Sequence, residues 1–127
     1  MRASHSQPAL VGAWFDLLPA NQRATALDLH RAILNGVPHA ELLVRSGNLY
    51  YGVGHQHVLA LAPHRLFIHL QVLAGGEPSQ AFPELVKAGN GLLWRFRLGY
   101  PVDGPAVARL ALVCFSLVLP AAQAPRG

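Results

Sequence analysis

The chain has 127 residues, ten Lys+Arg against six Asp+Glu, and a formal charge of +4 with neutral histidine. With 52% apolar and 13% charged residues it is not intrinsically disordered, and a single cysteine, Cys114, excludes a disulfide scaffold. The length suits one domain with a buried core. Nine of the ten basic residues are arginine, Lys87 being the lone lysine, and no run of five or more occurs. The charge therefore permits nucleic acid, anionic metabolites or an acidic protein as partner without requiring any of them.

Met1 to Pro8 lacks the charged region and apolar run of a signal peptide. The longest apolar stretch, Leu110 to Ala122, is broken by Ser116 and Pro120 and is shorter than the roughly 20 residues a membrane-spanning helix needs. The expectation is a cytoplasmic chain with no membrane partner. Residues 1–9 read as a disordered lead, 10–119 as a single domain and 120–127 as a frayed tail.

Leu10 to Leu18 predicts a short helix, stopped by Pro19. Asn21 suits an N-cap, and Gln22 to Leu34 carries an apolar helical stripe of Ala26, Leu29 and Ile33. Asn35-Gly36 suits a left-handed C-terminal cap, with Pro38 preventing continuation. Four strands are then expected: Glu41–Ser46, Leu49–Val53, Gln56–Ala62 and Arg65–Val72. The breaks between them, Gly47-Asn48, Gly54-His55 and Pro63-His64, are hairpin length, so neighbours run antiparallel. Ala74 to Pro78 reads as a loop, and Ser79 to Ala88 as a short helix with Pro83 in its first turn. Leu92 to Leu98 alternates as a fifth strand. Asp103 caps a last helix with Pro105 at its second position and a stripe of Val107, Leu110, Ala111, Cys114, Leu117 and Val118. The expected fold class is α+β, a two-layer sandwich. An antiparallel sheet of about five strands carries the N- and C-terminal helices on one face.

Side chains alternate across a strand, which sorts the sheet into two faces. Leu66, Ile68, Leu70 and Val72 oppose Arg65, Phe67, His69 and Gln71, and Leu92, Trp94, Phe96 and Leu98 oppose Leu93, Arg95 and Arg97. The apolar sets belong under the helices. The other face then carries Arg65, Arg95 and Arg97 beside Phe67 and His69, with Arg45 and Tyr50 joining from the first two strands. Guanidinium groups pair bidentately with phosphate or carboxylate, and rings stack on bases or pack on apolar anchors. Such a face serves a protein partner or self-association, a nucleic acid or small anion, or only solvent.

His55-Gln56-His57, with His64 and His69 nearby, is the one metal-like pattern, since residues two apart on a strand point the same way. It lacks a cysteine pair or carboxylate cluster. Cys114 falls on an apolar stripe away from any base, no serine occupies a strand–helix elbow, and the carboxylates form no close pair. No catalytic constellation and no cofactor motif emerges.

The order of parts resembles the YdhG-like family of small bacterial domains. The residues carrying this are Val37-Pro38-His39-Ala40-Glu41 after the second helix, Gly47-Asn48-Leu49-Tyr50-Tyr51, His64-Arg65-Leu66-Phe67-Ile68-His69-Leu70, and Gly89-Asn90-Gly91-Leu92-Leu93-Trp94-Arg95-Phe96. The resemblance implies a compact sandwich similar to frataxin-type proteins and, through a branch described as an iron chaperone, iron handling. Hard cations prefer carboxylate oxygen, and this chain carries six scattered acids. The leading expectation is therefore a non-enzymatic binding or adaptor module using the arginine face. Metal handling through His55, His57 or His64 is the alternative, and nucleic-acid or small-anion binding the second.

Overall fold

Pro8 opens the first helix, α1 (Pro8–Leu17), where a residue without an N–H leaves no donor unpaired. The helix thus begins inside the expected lead. The computed structural model describes residues 7–75, 78, 81–89 and 91–122, so the lead before residue 7 and the tail after 122 lie outside it. Arg23 closes the far end of α1, donating to the carbonyls of Phe15, Asp16 and Leu18 at 3.0, 3.1 and 2.7 Å. Those carbonyls lie at a helix end, where the next turn supplies no N–H partner.

Helix α2 (Ala20–Gly36) starts from Pro19, not Asn21. Pro19 is already extended, at φ −53° and ψ 150°, and its carbonyl accepts the Arg23 N–H at 2.8 Å. Asn21 Oδ1 accepts only from the adjacent Gln22 N–H. At the other end, Gly36 belongs to the helix and Val37 caps it. Gly36 is glycine because α3 lies against it: a Cβ there would sit 2.3 Å from the Ala108 carbonyl oxygen.

The strands are β1 (Glu41–Arg45), β2 (Asn48–Val53), β3 (Gln56–Pro63), β4 (Phe67–Val72), β5 (Val86–Ala88) and β6 (Gly91–Arg97), followed by α3 (Gly104–Ala122). They form a six-stranded antiparallel sheet in the order β1-β2-β3-β4-β6-β5. The mixed α+β architecture and the helices on the sheet agree with the expectation. The turns after β1 and β2 place Ser46, Gly47, Gly54 and His55 at positive φ, the mirror-image turns whose twist matches a hairpin.

One element differs. The helix expected over Ser79–Ala88 is not formed: the described part makes tight turns that bury Phe82 and Leu85, and then strand β5. Residues 79 and 80 lie outside the described residues. Phe82 and Leu85 are spaced as on a helix, which the turns reproduce locally, with Phe82 N–H donating to Pro78 and Leu85 N–H to Phe82. Ala88 pairs with Gly91, so the expected helix stop lies between two paired strands; residue 90 lies outside the described residues. β5 covers the β6 edge whose N–H and C=O groups would otherwise be unpaired. At the opposite edge, Gln7 Oε1 accepts the Val44 N–H at 3.1 Å.

The core lies between the helices and one face of the sheet. Leu49, Tyr51, Leu59, Leu61, Ile68, Leu70, Leu92, Trp94 and Phe96 meet Leu29, Ile33, Val107, Leu110 and Cys114. Asp103 Oδ1 accepts the Ala106 N–H at 3.1 Å, the expected cap of α3. Late in α3 Phe115, not Leu117, is buried; Leu117 is exposed. Cys114 is buried, and that burial pushes its thiol pKa up to about 11, which leaves it an inert core group.

Candidate functional site

The helices cover one face of the sheet, and the other carries Phe67, His69, Arg95 and Arg97. Register puts Phe67 directly opposite Arg97 and His69 directly opposite Arg95. Facing residues of antiparallel strands have Cβ atoms about 5 Å apart, within reach of a guanidinium and a ring. The guanidinium carbons of Arg95 and Arg97 lie 5.7 and 5.8 Å from the centre of the Phe67 ring. Arg97 also lies 5.8 Å from the Tyr100 ring. One half-buried ring thus orients two exposed cations, an arrangement that holds guanidinium groups in place while their donors stay available.

His64 completes the patch. Its N–H donates to the Phe67 carbonyl at 2.7 Å, and its own carbonyl accepts Gln22 Nε2 at 2.9 Å. This holds the β3–β4 turn against α2 and brings the His64 ring against His69, with centroids 4.0 Å apart and the planes tilted by 37°. Partial burial, then the charges of His64 and Arg95, lower the pKa of His69. Asp28 pairs with Arg31 on α2, at 3.7 Å, and no described carboxylate lies within ion-pair distance of Arg95 or Arg97.

The other expected members fall elsewhere. Arg65 sits in the turn before β4, exposed and off the strand alternation, because β4 begins only at Phe67. Arg45 ends β1, four strand spacings from Arg95, about 19 Å across the sheet. Tyr50 does face outward, but its ring packs against His57 at 4.8 Å. Between Tyr50 and the β4–β6 patch lie Ala60 and Ala62 of β3, which are buried although they face away from the helices. Neighbouring side chains close over these small residues, so the face is two clusters, not one continuous platform. The sequence pattern did not single out Tyr100, and it brought His64 near His69 only as a candidate metal ligand, not as a ring contact of this patch. The turn after Arg97 supplied a weak cue to Tyr100, while His64 depended on the turn geometry.

The metal-like histidines are separated by the same hairpin chemistry. His55 occupies the β2–β3 turn at φ 70°, while His57 belongs to β3, so the two do not point the same way along one strand. Among the described residues no group of three or more His, Cys, Asp and Glu is placed to hold a metal. No helix among them is long and apolar enough to cross a membrane.

A second polar pair lies inside the core. Tyr51 is fully buried, and its hydroxyl is 2.7 Å from His30 Nδ1. With the imidazole neutral and its proton on Nε2, the hydroxyl donates to Nδ1. Burial, then the charge of Arg31, lowers the His30 pKa, and burial raises that of Tyr51 well above its ordinary value. The folded state thus prefers neutral His30 and neutral His69, whose ordinary value is 6.5. Below that value the unfolded chain binds protons that the folded chain does not. Stability should be fully present above about pH 6.5 and decline as pH falls toward the lowered values. Thermal unfolding between about pH 7 and 5 checks this, and His30→Gln should flatten the dependence. A melting temperature that rises on acidification through this window contradicts it.

These features define a class: an α+β sandwich with helices on one side of its sheet and a cationic, aromatic cluster on the uncovered side. Compared with known proteins, the chain matches no family model and has no significant match among curated proteins or solved structures.

Proposed function

We propose that the chain is a non-enzymatic binding module, a YdhG-like domain in its order of helices and antiparallel strands, that recognises its partner through the β4–β6 part of the open sheet face. The observation that carries this reading is the arrangement of Arg95 and Arg97 about Phe67 with no carboxylate paired to either among the described residues. Surface arginines held by a ring have already lost part of the freedom that binding would remove, which lowers the entropic cost of recognition.

A photo-crosslinking benzoylphenylalanine in place of Gln71, on the same face, tests the location. It should capture a partner, or a second copy of the chain, and Arg95→Glu with Arg97→Glu should abolish that capture while leaving the circular dichroism spectrum unchanged. The same group in place of Leu112, exposed on α3, should capture nothing comparable. Capture from α3 that ignores the arginine changes overturns the reading.

A further inference from the structure

We infer that the occupant of the Phe67/Arg95/Arg97 cluster is a single-stranded nucleic acid; this rests on the reading above and names its ligand. Arg95 and Arg97 lie on one strand two residues apart, with their side chains on the same face and about 6.8 Å of strand between them. The Phe67 ring stands opposite, between the two cations, and Tyr100 extends the row beyond Arg97. A cation–ring–cation–ring row is the complement of a backbone that alternates phosphate charge with flat bases. Guanidinium planes suit both parts, pairing bidentately with phosphate and stacking on π-faces.

Shape separates this occupant from a small anion. Four clefts among the described residues, of about 280 Å³ beside Glu41, Leu43 and His57, about 210 Å³ beside Val37, Leu112 and Phe115, about 160 Å³ beside Gln71 and Leu93, and about 410 Å³ beside Asp28 and Arg31, are none of them lined by Phe67, His69, Arg95 or Arg97. A small molecule is held by enclosure, and the cluster lines none of these clefts. It is a flat strip that a polymer can lie along. Of the described acids, Asp16 lies on α1, Asp28 on α2 and Asp103 at the start of α3, all in the helical layer; Glu41 is on the far strand β1, and Glu84 is in the turn before β5. No described carboxylate is paired with Arg95 or Arg97, so both guanidinium groups are available to phosphate.

The test is fluorescence anisotropy with a fluorescein-labelled oligothymidylate of about twelve nucleotides, long enough for one such site. Salt is varied from about 50 to 200 mM. Affinity should fall linearly on a log–log plot, with a slope of about −0.7 for each phosphate neutralised. Arg95→Ala with Arg97→Ala should weaken binding at least about tenfold and reduce the slope by about 1.4, the share of two phosphates. Arg31→Ala with Arg109→Ala removes the same charge from α2 and α3 and should change little. Phe67→Ala should weaken binding about fivefold or more with the slope unchanged, because stacking releases no counterions.

Equal losses in the two arginine pairs overturn the inference, since they signal attraction to net charge alone. So does the absence of any anisotropy change at low salt. Binding of polyglutamate through Arg95 and Arg97 in place of the oligonucleotide also overturns it, and assigns the face to an acidic protein while the reading of the face survives. If capture maps to α3 instead, the face reading itself fails.

Discussion

Gly36→Ala should destabilise the protein by about 2–3 kcal/mol, although alanine is the better helix former. Gly36 is within α2, and local propensity alone predicts a gain of up to about 1 kcal/mol from alanine in a helix. The opposing term is steric. The added Cβ would stand 2.3 Å from the Ala108 carbonyl oxygen and about 3 Å from its carbonyl carbon and Cα, all backbone atoms of α3. A flexible side chain could turn away, but a helix backbone must move as a body, and that shifts Val107, Leu110 and Ala111 out of their packing against α2 and the sheet. Gly12→Ala is the matched control. It lies in α1 with nothing within 4 Å of the new Cβ, so the same substitution there should stabilise by about 0.5–1 kcal/mol. Urea denaturation of the two variants should give changes of opposite sign. Equal changes of the same sign mean that the α2–α3 contact is not what makes position 36 glycine.

Tyr51→Ala should cost about 4 kcal/mol, while Tyr51→Phe should cost about 1 kcal/mol. The phenyl variant keeps the ring that fills the fully buried site between α2 and the sheet and loses only the hydroxyl on His30 Nδ1. The alanine variant loses both and leaves a cavity beside Leu49, Leu59 and Leu29, which rigid neighbours on sheet and helix cannot close. The difference between the two variants isolates ring packing from hydrogen bonding. If both variants cost the same, the polar contact carries the site and the ring does not.

Much of the architecture was legible because it repeats locally. β4 and most of β6 alternate with period two, and short turn pairs stand between the first four strands, so antiparallel pairing follows from chain length alone. The apolar stripe of α2 and the Asp103-Gly104-Pro105 start of α3 were equally plain. The error at Ser79–Ala88 arose because Phe82 and Leu85 satisfy helical spacing, and a run this short cannot distinguish a helix from two turns and an edge strand. What decided it was the unpaired edge of β6, a demand made by a strand later in the chain.

The site divides in the same way. Alternation identified Phe67, His69, Arg95 and Arg97 as sharing the face away from the helices, and the register of β4 with β6 then put rings and cations opposite one another. Alternation also placed Arg65 and Arg45 in that group, where start-of-strand and strand-order geometry do not.

By itself the sequence determined, within β4 and β6, that Ile68, Leu70, Trp94 and Phe96 point toward the helices and Phe67, His69, Arg95 and Arg97 away, because that depends only on the two-residue period of a strand; it did not determine where β4 begins, so Leu66 and Arg65 were misplaced. It also determined an excess of arginine with few acids to neutralise it. Only the tertiary structure decided that Gly36 is a contact and not a cap, that the His64 ring lies against His69, and that the small residues Ala60 and Ala62 separate Tyr50 from the β4–β6 cluster. Each of those depends on which strand or helix becomes a neighbour, and neighbours distant in sequence are chosen by the packing of the whole core, not by any local pattern.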